Sequence, residues 1–73
     1  MLGYMSSPAF LFEQLTLGEK ARVVRVIRKF RQQELADRAG VSQAQISSLE
    51  RGEYVPLSIK RKILRALDLE AEL

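Results

Sequence analysis

A chain of 73 residues has room for one small domain. Apolar residues make up 47% of it, which supports a packed core and excludes a disordered chain. The chain holds 12 Lys and Arg against 9 Asp and Glu, a net charge of +3, and it has neither Cys nor His; disulfides and the usual zinc clusters are thereby excluded.

The charge is unevenly placed. Lys20, Arg22, Arg25, Arg28, Lys29 and Arg31 fall in one basic stretch, and Lys60, Arg61, Lys62 and Arg65 in another. Asp68, Glu70 and Glu72 gather at the carboxyl end. Basic clusters of this kind either attract a polyanion, most commonly nucleic acid, or form solvated helix faces. No apolar run approaches the ~20 residues of a membrane span. The amino terminus lacks a basic start and an apolar signal core, so no export signal is expected, and the absence of Cys suits a reducing cytoplasm.

Residues 1–15 read as an arm, broken at Ser6-Ser7-Pro8. Its Phe10, Leu11, Phe12 and Leu15 form an apolar cluster. The domain proper spans 16–73. Its first helix is predicted from Thr16, where Thr16-Leu17-Gly18-Glu19 fits a capping box. Leu17, Ala21, Val24 and Arg28 share one face at helical spacing. Val23, Val26 and Ile27 broaden the apolar surface beyond one stripe, and either the arm or another subunit must cover them.

The second helix is predicted over Gln32–Ala39, with Leu35, Ala36 and Ala39 as its apolar stripe and Gly40 as its stop. Ser42-Gln43-Ala44-Gln45 is a second possible capping box and opens the third helix, whose stripe is Ile46 and Leu49. That helix ends near Arg51, before Gly52. Pro56 forces an extended segment. Ser58 then reads as the cap of a fourth helix carrying Ile59, Ile63, Ala66 and Leu67. Asp68 to Leu73 form a short fifth turn or fray. No strand pattern or repeat is present. The expected fold is an all-α bundle of four to five helices. Two short helices joined by a glycine turn, with small Ala36 where they must approach, are the sequence form of a DNA-binding helix-turn-helix.

Gln32, Leu35, Ala36, Gly40, Val41, Ser42, Ile46, Leu49, Glu50, Gly52 and Pro56 resemble, in type and spacing, the Xre-type helix-turn-helix family of phage repressors and Cro. The resemblance covers roughly residues 17–67 and implies a lambda-repressor-like fold. The chain departs from the family in three places. Lys29 stands where a glycine usually precedes the second helix, and Arg31 where Ser, Thr or Asn usually caps it. The loop after the third helix reads Glu53-Tyr54-Val55 where the family is often basic.

The resemblance makes the third helix the recognition helix. Ile46 and Leu49 point inward, leaving Gln43, Ala44, Ser47 and Ser48 outward as candidate base readers. Gln can bond an adenine edge with donor and acceptor together, Ala can touch a thymine methyl, and Ser can pair with several bases. Gln45 either completes the capping box with Ser42 or reaches a base. Gln32 opens the second helix, where backbone amides and the helix dipole favour an anion, and the resemblance implies a phosphate contact there. Ser42, Arg31 and Arg51 are the other phosphate candidates, followed by Lys60, which otherwise faces water. The family also pairs an Arg of the first helix with a Glu ending the third, which implies a structural ion pair between Arg25 and Glu50. Arg38 and the remaining lysines read as solvated charges.

The expected partner is double-stranded DNA, read by a homodimer because one motif covers only a half-site. The broad face of the first helix and the Phe10-Leu11-Phe12 arm either form the dimer surface or cover the chain's own core. The expected role is transcriptional regulation, most simply repression. The alternative is an antitoxin-like module whose main partner is a protein and which uses DNA binding for autoregulation. No residues are placed together for catalysis, and no metal, cofactor or small-molecule ligand is expected.

Overall fold

A computed structural model describes residues 8–73 and is helical throughout. Its elements are α1 (Pro8–Glu13), α2 (Leu17–Ile27), α3 (Gln32–Ala39), α4 (Gln43–Glu50) and α5 (Leu57–Ala66), followed by a 3-10 turn at Glu70–Glu72. The break expected at Ser6-Ser7 lies outside the described residues. The expected arm contains a helix, α1, that the periodicity of so short a segment did not reveal.

The helix starts follow from local hydrogen bonding. At α2 the Glu19 N–H donates to Thr16 Oγ1 at 3.2 Å, and the Thr16 N–H donates to Glu19 Oε1 at 2.8 Å. At α4 the Gln45 N–H donates to Ser42 Oγ at 3.1 Å and the Ser42 N–H to Gln45 Oε1 at 2.9 Å. These are reciprocal capping boxes that satisfy amides a helix start leaves unpaired. At α3 only half of such a box forms: the Arg31 N–H donates to Glu34 Oε1 at 2.9 Å, and no side chain caps the other way. The predicted start of the last helix is corrected. Pro56, with ψ 145°, is the cap of α5, and Ser58 lies within the first turn. Proline is pre-set for this position, and its missing N–H is no loss there.

The helix ends share one device. Lys29 (φ 61°), Gly40 (φ 72°), Gly52 (φ 76°) and Asp68 (φ 57°) all sit in the left-handed region, just past α2, α3, α4 and α5. In each case the next residue's N–H reaches back over the turn: Phe30 to Arg25 O, Val41 to Ala36 O, Glu53 to Ser48 O and Leu69 to Leu64 O, at 2.8–3.0 Å. This is the Schellman closure, which satisfies orphan carbonyls at the cost of a left-handed residue. Lys29 thus adopts the conformation for which the resembling family uses glycine.

The core consists of Ala21, Leu35, Ala36, Ile46, Leu49, Val55, Ile63, Leu64 and Leu67. α3 packs on both α4 and α5, and α2 packs on α4. Ala36 is wholly buried, as its small size at the helix crossing required. Gly18 is a second close approach. A Cβ placed there would collide with the Leu49 carbonyl oxygen and lie 3.1 Å from that of Glu50. The start of α2 therefore rests directly on the last turn of α4.

Candidate nucleic-acid interface

α3, the turn at Gly40 and α4 form a helix-turn-helix, with Ile46 and Leu49 turned into the core as expected. The opposite side of α4 exposes Gln43 and Ala44, while Ser47 and Ser48 are half-buried. The candidate residues fall into two groups.

The first group links Glu50, the last residue of α4, through the scaffold to Gln43 at its start. Arg25 holds Glu50 in a fork: Nε donates to Oε2 at 2.6 Å and Nη2 to Oε1 at 3.0 Å. The Arg25 side chain is 12% exposed and that of Glu50 5%. Arg25 Nη1 also donates to the Phe30 carbonyl at 2.8 Å, tying in the loop before α3. Gln32 Nε2 donates to Glu50 Oε1 at 3.2 Å, and Gln43 Nε2 donates to Gln32 Oε1 at 3.4 Å. The polarity of this chain is set at its buried end. An ionised carboxylate only accepts, so Gln32 must turn its amino group to Glu50 and its oxygen to Gln43. Gln43 then spends one N–H on Gln32 and keeps the other N–H and its Oε1 for an outside partner.

The second group lies at the carboxyl end. Arg51 grips Glu53 with Nε to Oε2 at 3.0 Å and Nη2 to Oε1 at 2.9 Å, and its Nη1 donates to Ser47 Oγ. The Glu53 N–H also donates to the Ser48 carbonyl at 2.9 Å. The hydrogen bonds and charge of Arg51 hold the Glu53 carboxyl below the usual glutamate range, with a smaller contribution from the Ser48 hydroxyl. The same pairing pushes the Arg51 guanidinium up. Sequence reasoning treated Arg51 as a phosphate neighbour and did not join it to Glu53. The signal was present, since the two residues are separated by Gly52 alone.

Ser42 and Gln45 are committed to capping α4, so Gln45 takes the capping side of the two roles open to it. The Arg31 side chain is exposed beside the start of α3. Two other cations read as solvated are engaged. Arg38 stacks on the Phe30 ring at 4.2 Å. Lys20 pairs with Glu72 at 2.5 Å and lies 5.5 Å from the Phe12 ring centre. Arg28 pairs with Asp68 at 3.0 Å and Arg65 with Glu70 at 2.8 Å. Each acid of the carboxyl end thus pairs with one cation of α2, its cap or α5. Lys60 is half-buried in the cleft between the start of α2 and the loop after α4.

A helix-turn-helix family model matches residues 22–73, which takes in most of α2, the whole motif, α5 and the carboxyl end. The chain belongs to the Xre-type helix-turn-helix family. No curated protein and no solved structure gives a significant match. Membership makes this helix-turn-helix chain a DNA-binding regulator in kind, since the family is one of DNA-binding domains. No described helix is long and apolar enough to cross a membrane. No group of acids among the described residues could hold a metal ion.

Away from the motif, α1 and α2 enclose an apolar groove of about 480 Å³ lined by Ala9, Leu11, Phe12, Leu15, Val23 and Ile27. Ile27 remains 71% exposed and the neighbouring Val26 56%. The arm therefore covers only part of the second apolar surface of α2.

Proposed function

We propose that the chain is a sequence-specific transcriptional repressor that places α4 in the major groove and acts as a cytoplasmic homodimer. The observation that carries this reading is Gln43, which stands exposed at the start of α4, steadied by Gln32, with one N–H and one oxygen left to offer. That donor and acceptor pair matches the N7 and N6 edge of adenine. Ala44 beside it offers a methyl contact to thymine, and Ser47 and Ser48 read one turn further along. Gln32, Ser42, Arg31 and Arg51 fix the register on the phosphates, in the division of labour usual for such interfaces. Arg25 and Glu50 hold α4 to α2. The second copy sits against Val26, Ile27 and the α1–α2 groove, an apolar surface that one chain leaves partly open. The function requires no catalysis.

The test is selection from random duplex DNA with the purified full chain at near-physiological salt. Enrichment of a palindrome with half-sites about one helical turn apart, 34–36 Å, is the expected result. Recovery of no preferred sequence would overturn this reading and favour a protein, such as a toxin, as the main partner.

A further inference from the structure

We infer that Glu53 occupies, on the Arg51 guanidinium, the place a DNA phosphate would take, and so holds down binding to nonmatching DNA. This rests on the DNA-reading proposal above. α4 has eight residues and is therefore about 12 Å long, close to the ~12 Å width of the major groove. Residues just beyond its end thus come beside the phosphates that border the groove. Arg51 is the cation at that end, and it is already engaged twice by one carboxylate.

Carboxylate and phosphate each offer two oxygens to the planar guanidinium fork, so they compete for the same donors. The pair is exposed, with Arg51 57% and Glu53 55% accessible, so the exchange needs no rearrangement of the core. The Glu53 carboxylate must leave as the phosphate arrives, so each nonspecific encounter gives up one charge contact. A matched site regains that loss through base contacts, which random sequence does not offer. Glu53 thereby lowers the phosphate-based affinity for every duplex about equally, and random sequence, which has no base contacts, is left with the weaker hold. Arg51 also holds the Ser47 hydroxyl, so its release for phosphate frees a candidate base reader in the same step.

The experiment measures binding of the full chain to a labelled mixed-sequence duplex by fluorescence anisotropy between about 50 and 200 mM salt, a range over which phosphate contacts weaken sharply. Four proteins are compared: wild type, Glu53→Gln, Arg51→Gln and the double variant. Glu53→Gln should bind roughly two- to fivefold tighter at the low-salt end, the scale of one exposed ion pair. The slope of log K against log salt should steepen by about 0.9, the signature of one added phosphate contact. In the Arg51→Gln background the same change should bring no gain. A gain that persists there would show simple repulsion at a distance and overturn the inference. An unchanged slope in a Glu53→Gln protein that binds DNA would also overturn it, while leaving the DNA reading intact. Absence of binding by every variant at the lowest salt would remove the DNA reading and this inference together.

Discussion

Gly18 of α2 sits directly against the backbone carbonyl of Leu49, with no side chain between them. Helix propensity alone would favour alanine over glycine by up to ~1 kcal/mol. The contact reverses that sign, because the listening partner is backbone and cannot swing aside. Gly18→Ala should destabilise by about 1–3 kcal/mol, as overpacking does. For a domain of this size each kcal/mol lowers the melting temperature by about 4–8 °C. A melt at or above the wild-type temperature would show that α2 and α4 do not approach this closely.

Lys29 offers the opposite case. Its left-handed conformation costs an L-residue about 1–2 kcal/mol. Glycine removes that strain and returns part of it as freedom in the unfolded chain. Lys29→Gly should stabilise by about 0.5–1 kcal/mol, and Lys29→Val, which is β-branched, should destabilise. Denaturant midpoints at unchanged m-value provide the measurement. A loss on Lys29→Gly would mean that the lysine side chain contributes more than its backbone strain costs.

Arg25→Met should cost about 3–5 kcal/mol, because it leaves the nearly buried Glu50 carboxylate with Gln32 as its remaining partner. A variant as stable as wild type at neutral pH would make the pair dispensable.

Gln43→Ala should relax base preference at one position of the selected site while leaving nonspecific affinity nearly unchanged. Repeating the selection with the variant reads this directly. An identical preferred sequence would remove Gln43 from the readout.

Ile27→Glu places a charge at the mouth of the α1–α2 groove. It should convert the proposed dimer to a monomer in sedimentation equilibrium without lowering the melting temperature of the monomer, since Ile27 is largely exposed there. A dimer that survives would place the two-fold contact elsewhere.

The sequence was most legible where structure is decided within a few residues. The cap at Thr16, the cap at Ser42 and the glycine stops at Gly40 and Gly52 are local chemistry, and they set the ends of α2, α3 and α4 closely. The inward face of α4 was legible for the same reason, through the spacing of Ile46 and Leu49. Pro56 and Ser58 show the limit of that approach: both are plausible starts for α5, and the fixed φ of proline decided between them. Leu64 escaped the expected core although it is fully buried, because α5 is gripped on a wider arc than one stripe suggests. Pairings across the fold left no local trace at all. Nothing near Lys20 points to Glu72, or near Arg28 to Asp68, and the stacking of Arg38 on Phe30 depends on how the chain enters α3. At the candidate interface, the resemblance supplied Arg25–Glu50 and the residue types supplied Gln43. The engagement of Arg51 by Glu53 was legible in their spacing around Gly52, but the role given to Arg51 as a phosphate neighbour hid it.

The amide relay from Glu50 through Gln32 to Gln43 has a thermodynamic consequence. A glutamine side chain gives up as much as about 1.5–2 kcal/mol of rotamer freedom when it is immobilised. If Gln43 reads a base as proposed, a glutamine waving in solvent would surrender that freedom on binding. Gln43 has already surrendered part of it during folding, so less is charged against association. Such preorganisation strengthens binding without adding a contact. Breaking the relay at Gln32 should therefore make complex formation entropically more costly, even where every atom that faces the base is unchanged.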